Sequence, residues 1–150
     1  MSSTPLWIVW ALALAAVGVL AFVPGVVPVR AMPWHAGQIA VAQFVLAIFA
    51  LTAGVGSFAL RESLALRDLR SGALDPATEA GRVRLHRMLW ALWTLCLVVA
   101  GLGCVLAWGA ASRAYAWPFC AGAALLLVIH APRAWLFTRA ARSASSPRPG

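Results

Sequence analysis

Apolar residues fall in four long blocks, and the charged residues lie between or after them. Leu6–Val23 is 18 residues without a charge and is followed by Pro24-Gly25. At about 1.5 Å of rise per residue, a helix of that length just crosses a hydrocarbon core of about 30 Å. Ala36–Leu60, Met88–Trp108 and Tyr115–Pro132 are further blocks without an acidic or basic side chain other than His130. Short links join the first block to the second and the third to the fourth, so these neighbours are expected to run in opposite directions. The pattern predicts an all-α fold, an integral membrane four-helix antiparallel bundle. Its spans lie at about 6–23, 36–60, 88–108 and 115–132, and residues 1–138 form a single domain. The first block is longer than a signal-peptide core, has no basic residue before it and no small-x-small site after it. It is therefore read as a retained helix.

The stretch 61–87 holds all four acidic residues (Glu62, Asp68, Asp75 and Glu79) and half of the twelve arginines. No Gly or Pro interrupts 61–70, and Gly72 is the first stop signal. Asp75-Pro76 reads as an N-cap followed by Pro at the first helical position, with Glu79 in the first turn. Helices two and three are thus expected to extend past the membrane, each about 34 residues or roughly 50 Å long. They form a charged helical hairpin that offers Arg61, Arg67, Arg70, Arg82, Arg84 and Arg87 to anionic lipid or a partner. The tail, 139–150, is Ser, Pro and Arg in character and is expected to be disordered.

Within the second block Ala36, Ala40, Gln43, Ala47, Ala50, Gly54, Ser57 and Arg61 alternate steps of four and three. Small residues let helix backbones approach closely in lipid, where apolar burial gives little drive. The third block has the same face in Cys96, Ala100, Gly103 and Ala107, extended by Trp93 and His86; the fourth has Ala116, Cys120, Ala123, Leu127, His130 and Ala134. Ala40, Gln43, Ala47, Gly54, Ser57, Ala100, Gly103 and Ala123 are the expected helix-packing positions. Gln43 and Thr52 are expected to bond across helices.

Composition agrees with a lipid environment. Charged residues are 11% and apolar ones 63%, whereas a soluble domain carries about a quarter charged residues. A pI near 11.5 does not imply nucleic acid here, because the arginines flank apolar blocks instead of forming a patch on a soluble face. Six arginines lie in 61–87 and four from Arg133 onward, against Arg30 and Arg113 in the opposite links. The positive-inside rule then puts both termini and the hairpin in the cytoplasm. The absence of Lys among twelve basic residues fits a GC-rich bacterial genome and hence a bacterial inner membrane. Trp7, Trp10, Trp90, Trp93 and Trp135 mark one interface, and Trp34, Trp108, Tyr115 and Trp117 the other.

Candidate chemistry is sparse. Ion-coupled transport uses ionisable groups inside the bilayer, and the four blocks contain no Asp, Glu, Lys or Arg. Small multidrug exporters depend on a buried Glu in their first helix, and this first helix has none. His86 and His130 are cofactor-binding candidates: facing imidazoles at one height hold haem b, and one alone bonds a quinone. Arg82, Arg84 and Arg87 around His86 favour an interfacial histidine instead. Cys104 and Cys120 flank the third link symmetrically; a disulfide needs Cβ atoms about 4 Å apart, and apolar helix cysteines more often simply pack. No nucleophile–base pair, phosphate loop or metal-ligand cluster is present. The expected function is non-catalytic and cofactor-free: an accessory or assembly subunit packing against a membrane complex or itself. The alternatives are a small haem or quinone anchor using His86 and His130, or a small pore lined by Gln38, Gln43, Thr52, Ser57 and Thr94.

Overall fold

The computed structural model describes residues 4–26, 34–63, 67–71 and 78–132, and among these every regular element is helical. The elements are α1 (Thr4–Val26), α2 (Ala36–Arg61), α3 (Arg67–Ser71), α4 (Glu79–Gly109) and α5 (Trp117–Ile129), with a 3₁₀ turn at Arg113–Tyr115 leading into α5. By length and composition α1, α2 and α4 are each able to cross a membrane.

The centre is α4, which packs against α1, α2 and α5, while α1 and α5 also meet each other. Its buried positions Leu85, Leu89, Leu92, Trp93, Cys96, Val99, Ala100 and Gly103 recur at helical spacing. Gly103 sets the approach to α5: an added Cβ would lie 2.6 Å from the Phe119 Cβ and 3.1 Å from the Ala116 carbonyl oxygen. At the far end of α4 the Trp34 ring fills the space a Cβ on Gly109 would need, and the Trp34 N–H donates to the Gly109 carbonyl at 2.8 Å. By contrast, no residue in the most apolar 18-residue window of α2 is buried.

Several boundaries differ from the sequence reading, each for a local reason. α1 runs through Pro24 to Val26 instead of ending before it. Proline has no N–H, so the Leu20 carbonyl loses its donor four residues on; the Cys104 thiol donates to it instead, at 3.1 Å. α2 passes from Arg61 into a wider helical turn at Glu62–Ser63, residues 64–66 lie outside the described residues, and the chain is helical again over α3. Asp68 of α3 is tied to Arg84 of α4 at 2.6 Å.

Thr78, not Asp75, caps α4: its hydroxyl accepts the Gly81 N–H at 3.1 Å, with Glu79 in the first turn. The expected signals at Gly72 and Asp75-Pro76 lie outside the described residues, as does the tail. From Glu79 the helix continues for 31 residues without a break, about 46 Å at the standard rise. It ends with Ala111 in the left-handed region (φ 50) and with the Ser112 N–H on the Ala107 carbonyl. That pair of features is a Schellman stop. α5 has only 13 residues, against the 18 of Tyr115–Pro132; Ala131 precedes Pro132, a position that disfavours helix.

Candidate functional site

The densest polar arrangement among the described residues is at the carboxyl end of α5. A helix leaves its last carbonyls without intrahelical donors, and Pro132 removes one further N–H. The Ala131 N–H turns to the Val128 carbonyl at 3.3 Å, leaving Leu127 without its usual partner. Side chains from three other helices supply donors. The Trp10 indole of α1 donates to the Leu127 carbonyl at 2.8 Å. The Arg61 guanidinium of α2 reaches the Ile129 carbonyl at 3.4 Å, and the Trp93 indole of α4 reaches the His130 carbonyl at 3.3 Å. The two longer contacts are weaker than the first, yet all three satisfy carbonyls that would otherwise be costly to bury.

The side chain of His130 joins the same cluster. Ser57 donates its one hydroxyl hydrogen to the Gly54 carbonyl at 2.6 Å, so at 2.9 Å its oxygen accepts from His130 Nε2–H. This network sets the tautomer and leaves Nδ1 as a bare acceptor, buried and without a partner among the described residues. The Phe58 ring lies 5.3 Å from the imidazole, centroid to centroid. His130 therefore ties α5 to α2 through its ring and to α4 through its carbonyl.

The second feature is a groove. α2 and α5 approach each other at Ser57–His130 and at Gly54, where an added Cβ would lie 3.8 Å from Leu126. Towards the opposite end lies a cavity of about 640 Å³, floored by Val99 and Leu106 of α4. Gln43 and Ala47 line it from α2, Tyr115 from the 3₁₀ turn, and Phe119 and Gly122 from α5.

The expected site residues are distributed as follows. Ala100, Gly103, Ala123 and Ser57 are buried between helices, and Ala47 and Gly54 are half-buried. Ala40 and Gln43 are exposed, because no helix among the described residues covers that part of α2. Thr52 bonds back to the Ile48 carbonyl of its own helix at 2.9 Å instead of crossing to another. Arg67, Arg82, Arg84 and Arg87 are exposed and Arg61 is half-buried; of Arg70 only the backbone is described. His86 is half-buried. The carbonyl of His130 is held by Trp93, which stands seven residues beyond His86 on α4, about 10 Å of helix rise. Nε2 of His130 is engaged by Ser57. Cys96, Cys104 and Cys120 are free and buried.

The parts played by Trp10 and Trp93 were missed by sequence reasoning, which assigned both to an interfacial belt. The available signal was Pro132: a proline at the end of an apolar block implies unpaired carbonyls that need donors from elsewhere. Comparison with protein-family models, curated proteins and solved structures found no match to this chain.

Proposed function

We propose that this chain is a multi-pass integral membrane protein of a bacterial inner membrane, an antiparallel bundle with a non-catalytic role. It serves as an accessory or assembly subunit and presents α2 to a larger membrane complex or to a second copy. The distribution of arginines supports a cytoplasmic location for both termini and for the charged segment between α2 and α4.

The observation that carries this reading is the contrast between α4 and α2. Half of the most apolar window of α4 is buried, and none of that of α2. Yet α2 carries Ala36 and Ala40 in an exposed line, the small residues that mediate helix contacts in lipid. Blue-native electrophoresis after extraction in mild detergent tests it. The expected result is a band larger than the monomer, shifted to monomer size by Ala40→Phe; a free monomer throughout contradicts it.

The other two readings have less support. A haem anchor needs both imidazoles at one height, and His130 is already bonded to Ser57. A polar lumen would need Thr52 and Ser57, whose hydroxyls bond carbonyls of their own helix.

A further inference from the structure

We propose that the groove between α2 and α5 is a binding site for a neutral, carbonyl-headed apolar lipid of the prenylated quinone class. The proposal rests on the membrane reading above but not on the accessory role. The cavity, about 640 Å³, lies within the range of small-molecule sites. Its walls are apolar except for two side chains on different elements: the Gln43 amide of α2 and the Tyr115 hydroxyl of the 3₁₀ turn. Neither side chain bonds a protein group among the described residues. An unpaired amide in hydrocarbon is costly, so an acceptor in the groove would relieve Gln43, with the Tyr115 hydroxyl at the interface as a second donor.

The depth of Gln43 selects the class of lipid. It stands seven residues along α2 from Ala36, about 10 Å of rise into the apolar span. A phospholipid held there by its ester carbonyls would drag a charged headgroup below the interface, at high cost. A quinone ring is uncharged, and its carbonyls lie on opposite sides of a flat apolar body, which complements donors from two walls. Its prenyl chain would lie along Ala47 and Leu126. Buried acids for proton uptake are lacking in the apolar spans, so the site holds the lipid without converting it. His86 and His130 take no part.

Gly122 gives the means to test this. It lines the groove, and a Cβ added there meets nothing within 4 Å, so Gly122→Leu fills the cavity without displacing protein atoms at the point of attachment. The full chain is reconstituted in lipid nanodiscs and titrated with a short-chain prenylated benzoquinone, following quenching of tryptophan fluorescence. Size-exclusion of the same samples reports retention by the nanodisc, and so tests the membrane reading separately. The expected result is a saturable phase of one quinone per chain, absent in Gly122→Leu and weakened on the order of tenfold in Gln43→Leu. Non-saturable partitioning that is alike in all three proteins overturns the proposal. So does a phospholipid that native mass spectrometry finds retained by wild type and lost in Gly122→Leu while quinone fails to saturate. Disulfide-linked dimers of Gly122→Cys that form equally with quinone present would assign the groove to a second copy and overturn it as well.

Discussion

The indole N–H of Trp10 donates to the carbonyl of Leu127 at 2.8 Å, joining positions 117 residues apart. One hydrogen bond thus ties α1 to the end of α5. The acceptor is available because the chain turns out of helix before Pro132, and the donor is a side chain that retains an apolar body around its single N–H. The same logic repeats at Arg61 and Trp93. In the bilayer we propose, water is not there to satisfy these carbonyls, so side chains of neighbouring helices must.

Ser57 and His130 form the most buried of these ties. Ser57→Ala leaves the imidazole N–H without an acceptor inside the protein, a loss of about 1–3 kcal/mol. Thr52→Ala removes a hydroxyl that is exposed and bonds only its own helix, and should change stability by no more than about 0.5 kcal/mol. Thermal or denaturant unfolding of the two variants in one detergent gives the comparison; equal losses would count against the pairing.

Pro24 and Cys104 are coupled through a group belonging to neither, the Leu20 carbonyl. Cys104→Ala removes the donor and should destabilise by about 0.5–1.5 kcal/mol, the range of a net hydrogen bond. In a Pro24→Ala background the backbone N–H of residue 24 satisfies the same carbonyl, so the cysteine substitution should cost less. A double-mutant cycle reads the difference directly. Strict additivity would mean that the thiol only fills space.

Gly103 and Gly101 sit two residues apart on α4, with opposite surroundings. A methyl group at 103 would press on Phe119 and on the Ala116 carbonyl, whereas one at 101 meets nothing within 4 Å. Gly103→Ala is expected to destabilise by about 1–3 kcal/mol through overpacking. Gly101→Ala should be neutral or stabilising by up to about 1 kcal/mol, because alanine is the better helix former. Melting temperatures of the two variants should therefore move apart.

Ala111 holds a left-handed conformation (φ 50) at the stop of α4, where glycine is the usual residue. Ala111→Gly removes the steric cost of a Cβ there and should raise stability by about 1 kcal/mol. A fall in the unfolding midpoint would show that the turn is held in another conformation.

Much of the helical layout was legible from charge and hydropathy alone. The uncharged blocks at 36–60 and 88–108 became α2 and the apolar part of α4, because a long run with no charged side chain leaves few alternatives to helix. The small-residue face of Ala100 and Gly103 was also legible, since periodicity reports which side of a helix is narrow. Which face is covered was less so. Ala40 and Gly103 look alike in sequence, yet among the described residues only Gly103 has a helix against it; pairing depends on all the other helices at once. The caps at the end of α5 were hidden because a tryptophan fits an interfacial belt as well as it fits a hydrogen bond to a carbonyl more than a hundred residues away.

Tryptophan substitutions test the central structural claim most directly. Trp10 and Trp93 each donate to a carbonyl near the end of α5, whereas their neighbours Trp7 and Trp90 are exposed. Phenylalanine keeps the ring and deletes the N–H. The measurement is equilibrium unfolding of the four Trp→Phe variants in the same lipid or detergent. Trp10→Phe and Trp93→Phe should each lose about 1–2 kcal/mol, and Trp7→Phe and Trp90→Phe less than about 0.5 kcal/mol. Four equal losses, or none, would contradict a bundle closed by side chains at the carboxyl end of α5.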